Sequence, residues 1–121
     1  MNDLQVWVEN RLKMVHSSVH LEKAPDKTKF PYITYELDIP GDDEDYRQDI
    51  VLEVDVWGNS PNTTEIDGYC NEIDALFHRE YENNADFQVS CYRISRLMVP
   101  DPDEKIRHRN LKYMLKTYFK E

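Results

Sequence analysis

The sequence is short of the residues on which several common chemistries depend. It has three glycines, and Gly41, Gly58 and Gly68 stand too far apart to build the clustered loop whose backbone amides close around a phosphate. Its two cysteines, Cys70 and Cys91, make no CxxC pair and no disulfide-rich spacing, so they read as small apolar residues of the interior. No apolar run approaches the roughly 20 residues of a membrane-spanning helix. The opening Met1-Asn2-Asp3-Leu4 lacks the basic stretch and continuous apolar segment of a secretion signal, and an intracellular, soluble protein is expected. Base is in deficit as well: 15 Lys and Arg against 24 Asp and Glu give a net charge of −9. That sign is wrong for a module that grips nucleic-acid phosphates.

What is present suits a packed chain. Hydrophobic residues make up 40% and aromatics 12% of 121 residues, more than a disordered segment carries. The length predicts one domain spanning residues 1–121. Leu4, Val8, Leu12 and Val15 form one stripe at helical spacing and predict a helix over residues 3–16, with Trp7 and Met14 flanking the stripe and Val6 exposed opposite. Ser17 to Lys29 reads as a connector with room for a short strand and a turn at Pro25-Asp26. Tyr32 to Ile39 then alternates, with Ile33, Tyr35, Leu37 and Ile39 on one face and Thr34, Glu36 and Asp38 on the other. Gln48 to Trp57 alternates in the same way, setting Ile50, Leu52, Val54 and Val56 against Val51, Glu53, Asp55 and Trp57. The two runs predict an antiparallel hairpin closed by the acidic stretch Asp42-Asp43-Glu44-Asp45, one face buried and one wet.

Gly58-Asn59-Ser60-Pro61 stops the second strand. Asn62-Thr63-Thr64 matches a glycosylation sequon, but is better explained as a helix start, with Asn62 capping and Glu65 reaching back. Ile66, Tyr69, Cys70, Ile73, Leu76 and Phe77 share a helical face opposite Asp67, Asn71, Asp74, Ala75, His78 and Arg79. This helix is predicted to end at Asn83-Asn84. Phe87 to Met98 reads as a strand whose phase slips at Ile94, which calls for a bulge. After the turn Pro100-Asp101-Pro102-Asp103, a last strand over Arg109 to Lys120 sets Leu111, Tyr113, Leu115, Thr117 and Phe119 against Lys112, Lys116 and Lys120. The expected order is α-β-β-α-β-β. It gives an α+β fold with an antiparallel sheet of about four strands and two amphipathic helices on one face.

No pattern supports catalysis, and no enzyme activity or cofactor is expected. Ser17, Ser18, Ser60, Ser90 and Ser95 lie in no nucleophile elbow, and neither cysteine has the basic neighbours that lower a thiol pKa. His16 and His20 are spaced to share a helical face as metal ligands do. Yet the apolar stripe runs out there and no third ligand is near, so they read as solvated positions. Asp42 to Asp45 lacks the alternating ligand spacing and distal Glu of a calcium loop. It stands either as a solvated hairpin tip or as a surface whose negative sign is itself useful. Tyr32, Trp57, Tyr92 and Tyr118 fall on off-core strand faces, where large aromatics can anchor an interface.

The runs Pro31-Tyr32-Ile33-Thr34-Tyr35-Glu36-Leu37 and Ile50-Val51-Leu52-Glu53-Val54-Asp55-Val56-Trp57-Gly58-Asn59-Ser60, followed by Asn62-Thr63-Thr64-Glu65-Ile66, give the chain a family resemblance. It resembles the tail-completion proteins of long-tailed bacteriophages and prophages, also called tail terminators or head–tail joining proteins. In that family a P-x-I-T-Y-x-L strand and a V-D-V/I-W strand lead through a polar turn into a helix. The resemblance implies a virion protein, made in the bacterial host cytoplasm, that self-associates as a ring, commonly a hexamer. The ring caps the tail tube and meets a tail-tube protein and a head-connector protein, while DNA passes through without specific binding and no membrane is involved. It assigns no contact residue by residue. From their off-core position, Tyr32, Val51 and Trp57 are candidates for the subunit interface, and Asp42, Asp43, Glu44 and Asp45 for an acidic lumen lining that repels the passing genome. The competing expectation is an acidic binding module, a DNA mimic or anti-host factor acting on a basic partner.

Overall fold

A computed structural model describes residues 2–38 and 47–120. The predicted acidic stretch Asp42 to Asp45 and the strand end at Ile39 lie outside the described residues. The fold is mixed α and β, and its elements are α1 (Asn2–Val15), β1 (Val19–Leu21), β2 (Tyr32–Asp38), β3 (Arg47–Gly58), α2 (Thr64–Phe77), β4 (Glu80–Asn83), β5 (Phe87–Val99) and β6 (Arg107–Phe119). The sheet has six strands in the order β1-β2-β3-β6-β5-β4, which corrects the expected four. β1 runs parallel to β2, pairing Val19 with Ile33, while every other neighbouring pair is antiparallel.

Both hairpins form in the phase that alternation predicts. Tyr32 lies opposite Trp57 and Leu37 opposite Leu52, so Ile33, Tyr35, Leu52, Val54 and Val56 share the buried face. The β6 residues Leu111, Tyr113 and Leu115 and the β5 residues Phe87, Val89 and Cys91 complete it. Both helices pack on that same face. Leu4, Val8 and Leu12 of α1 and Ile66, Cys70, Ile73 and Phe77 of α2 are almost wholly removed from water. Each side chain of that size contributes on the order of 1.5–3 kcal/mol when fully buried. Two tyrosines on the sheet mark the layer boundary. Tyr35 Oη donates to Glu9 Oε1 on α1 at 3.1 Å, and Tyr113 Oη donates to Asp74 Oδ1 on α2 at 3.0 Å.

The extra strands sit at the two edges, where local pattern is weakest. β1 lies in the segment read as a connector, and three residues are too few to show a period. Residues 80–83 continue the helix in the sequence reading, but α2 stops at Phe77. His78 is extended, its N–H donating to Asp74 O at 2.8 Å, and Arg79 turns the chain at φ 62°. Glu80–Asn83 then pairs with Gln88–Cys91. The start of α2 moves too: the residue preceding the helix is Thr63, not Asn62. Asn62 Oδ1 nevertheless accepts the Thr64 N–H at 3.0 Å, so one unpaired amide of the first turn is satisfied, although by a different geometry than a capping box. The phase slip at Ile94 is a register shift between Arg93 and Ser95.

Candidate functional site

The sheet face away from the helices carries the candidate site. β2, β3, β6 and β5 place their off-core residues there in rows set by strand register. Tyr32, Trp57, His108 and Val99 form one row; Thr34, Asp55, Asn110 and Leu97 the next; Glu36, Glu53, Lys112 and Ser95 the third. In the first row the rings stack. Trp57 lies 3.7 Å from the His108 ring centroid with 13° between planes, and 6.1 Å from Tyr32 with 21°. Trp57 Nε1 also donates to Thr34 Oγ1 at 3.1 Å. The His108 ring Nε2 lies 2.6 Å from Asp55 Oδ1, and Asn110 Nδ2 donates to both Glu53 Oε1 at 2.8 Å and Asp55 Oδ1 at 2.9 Å. As a result Thr34 is only 7% exposed and Asn110 5%, although among the described residues no helix covers this face. Aromatic planes and the bonds joining Thr34, Trp57, His108, Asp55, Asn110 and Glu53 make this part of the face firm.

Its electrostatics are lopsided. Burial pushes the Glu36 carboxyl up, and the nearby Glu53, Asp38, Asp55 and Glu22 push it further. The Tyr32 hydroxyl is raised by burial and then by the charge of Asp101. On the helix side the polar residues of α2 are not the solvent face that periodicity suggests. Asp67 accepts from Arg109 Nε at 2.8 Å and Asp74 pairs with Arg93 Nη1 at 2.8 Å, so α2 is tied to β6 and β5 by charge. Burial raises the Asp67 carboxyl, but hydrogen bonds from Arg109 and Thr63 and the charges of Arg109 and Arg96 outweigh it and hold it below its ordinary value.

Of the candidate interface residues, Tyr32 and Trp57 are brought together in the stack. Val51 is not: it lies opposite Asp38 and Met114, toward the other end of β3. All three are half-buried. The four acids of the candidate lumen lining lie outside the described residues. His16 and His20 do not share a helix face, because α1 ends at Val15; each ring instead bonds Ser18. Among the described residues no group of three His, Cys, Asp or Glu side chains is placed to hold a metal. Cys70 and Cys91 are buried and unpaired, and burial raises their thiols to about 11 and about 12, which keeps them protonated and unreactive.

Sequence reasoning leaves His108 outside the last strand, which it starts at Arg109, and gives Asn110 no role; β6 begins at Arg107. The alternation His108, Asn110, Lys112 carries the polar face on without a break and was the available signal. Beside the stack, the chain from Glu22 to Thr28 and Phe30 borders a groove of about 410 Å³ that opens onto Tyr32 and Trp57. The outer part of β5 is the other feature of note: Ile94 is 49%, Leu97 53% and Met98 77% exposed.

No family model and no curated protein matches the sequence. Solved structures share its fold. A chain from the virion of a native gene transfer agent particle superimposes with a TM-score of 0.71 at 7% identity, covering 92% of this chain and 91% of that one. A second solved chain superimposes with a TM-score of 0.69 at 16% identity, covering 100% of this chain and 98% of the other. At those identities the likeness is one of fold, and it runs the length of both partners.

Proposed function

We propose that this chain is a structural protein of a phage-like virion, acting as a tail-completion or head–tail joining subunit. The observation that carries the reading is the full-length fold likeness to a chain of the gene transfer agent virion. The P-x-I-T-Y-x-L and V-D-V-W strands support the finer assignment, as they pair with each other to form β2 and β3. In this reading the chain has no catalytic role. Copies close into a ring, commonly of six, that caps the tail tube, with the tail-tube protein on one side and the head connector on the other. DNA passes through the ring, and Asp42 to Asp45 would line the passage with negative charge so that the genome does not adhere.

The test is the size and shape of the purified chain. Sedimentation and negative-stain microscopy should show closed rings of identical subunits, alone or on addition of the tail tube. A chain that remains a monomer in both conditions overturns the ring and favours the acidic binding module, which needs no closed assembly.

A further inference from the structure

β5 is irregular just beyond its pairing with β4, and the irregularity gathers its arginines. β4 covers Gln88–Cys91, and a register shift between Arg93 and Ser95 follows. In an unbroken strand Arg93 and Arg96, three positions apart, would point to opposite faces. The bulge takes up one residue, so Arg93 lies opposite Tyr113 and Arg96 opposite Leu111, both buried on the helix side. Met98 follows on that side, opposite Arg109 of β6. Three guanidiniums are thereby set on the helix-bearing face along β5 and β6.

α2 meets them with a row of its own. Asp67, Asn71 and Asp74 recur at helical spacing and share one side of the helix. Arg109 Nε donates to Asp67 Oδ1 and Arg93 Nη1 to Asp74 Oδ2, each at 2.8 Å, making two ion pairs. The arginine between them is paired to no carboxylate among the described residues. Arg96 Nη1 donates to Asn71 Oδ1 at 2.8 Å, and Nη2 to the Asp67 backbone carbonyl at 3.5 Å. Neutral oxygens fix its position and leave its charge uncompensated, so three cations stand beside two carboxylates. Arg96 Nε has no hydrogen-bond partner among the described residues.

The three arginines and Asp67 line a cleft of about 520 Å³ that Ile94, Leu97 and Met98 wall on the outside. All three apolar side chains are exposed. A guanidinium held in place presents a planar fork that matches the two oxygens of a carboxylate, and apolar walls reduce the competition from water. A nucleic-acid backbone fits less well, because one surplus cation does not offset its repulsion by a chain of net charge −9. The geometry points to a binding site, centred on Arg96, for an Asp or Glu side chain flanked by apolar residues on a partner protein. The carboxylate takes the free Nε side of the Arg96 fork, and its apolar neighbours cover Leu97 and Met98. The site goes beyond the ring reading and does not depend on it, since no second copy of the chain is needed.

The experiment uses the full chain and fluorescence anisotropy of two labelled, capped peptides, Gly-Leu-Glu-Leu-Gly and Gly-Leu-Gln-Leu-Gly, which differ only in the carboxylate. A labelled thymidine oligonucleotide of equal length is the third probe. The Glu peptide should bind with a Kd on the order of 1 mM or tighter, and the Gln peptide about tenfold more weakly. Arg96→Gln, at an exposed position, should keep the wild-type circular dichroism and lose the preference for Glu. Arg47→Gln removes the same charge at the far end of β3 and should bind as wild type does. Equal affinity of the wild-type chain for the two peptides, or no binding of the Glu peptide at about 1 mM protein, overturns the site. So does an equal loss in the Arg96 and Arg47 variants, which would mean that binding follows overall charge. Tighter binding of the oligonucleotide that Arg96→Gln abolishes puts nucleic acid in place of an acidic protein and overturns the assignment of the partner. Sedimentation of the unliganded chain tests the ring separately, so failure of one reading leaves the other standing.

Discussion

At the scale of single residues, much of this protein's specificity lies in polar groups on strands. Tyr35 and Tyr113 sit in the apolar layer by their rings and reach a helix carboxylate by their hydroxyls; burial and the Glu9 hydrogen bond raise Tyr35 to about 12. Glu36 is the opposite case, a carboxylate among carboxylates. Its raised folded pKa means the folded state holds the proton more tightly than the unfolded chain does. Stability is therefore lost as pH rises from the ordinary glutamate value of 4.5 through the folded value, and the full penalty applies above it. Glu36→Gln should raise the urea midpoint at neutral pH, and the gain should vanish well below pH 4.5, where the carboxyl is protonated in both states. An equal gain at both pH values would trace the effect to packing instead of charge. Alternation placed Tyr32, Trp57, Glu36 and Asp55 on the correct face. The stack and the Asn110 network were not legible, because β3 and β6 are joined only by register between residues far apart in sequence, such as Asp55 and Asn110.

At the scale of elements, β3 and α2 approach closely at Gly58. A Cβ on Gly58 would stand 2.7 Å from Cγ2 of Ile66, a residue buried in the first turns of α2. Gly58→Ala should destabilise the fold by about 1–3 kcal/mol, as overpacking does. Gly68→Ala, which meets nothing within 4 Å, is the control and should be neutral or slightly stabilising because alanine favours the helix. Denaturant titration of the two variants separates them, and equal effects would remove the close-packing account. Long elements with a clear period, α1, β2, β3, β5 and β6, were legible nearly to their ends. β1 and β4 were not, since strands of three and four residues exist only through the neighbour they pair with. For the same reason α2 was read too long: its boundary is set by the Arg79 turn and by β4 pairing back on β5.

At the scale of the whole molecule, the net charge of −9 is distributed unevenly: Glu22, Glu36 and Asp38 crowd one another near β2, while Arg93 and Arg96 face Asp74 and Asn71 of α2. In the self-assembly reading, contacts between copies of so charged a chain are partly electrostatic. Raising salt from about 0.1 M to about 1 M shortens the Debye length from about 10 Å to about 3 Å. Over that range sedimentation should show self-association weakened severalfold. Association that strengthens over the range would mean that apolar contact alone holds the copies together.

Sequence by itself determined the α+β class, the two hairpins, the bulge near Ile94, the buried cysteines and which strand faces turn to the helices. All of these follow from local periodicity, and one turn of helix or one pleat of strand suffices to express it. Only the tertiary structure decided the number of strands, the parallel edge pairing and the Tyr32–Trp57–His108 stack. Those depend on which distant segments become neighbours, and the free energy that selects them comes from burying one shared layer under both helices.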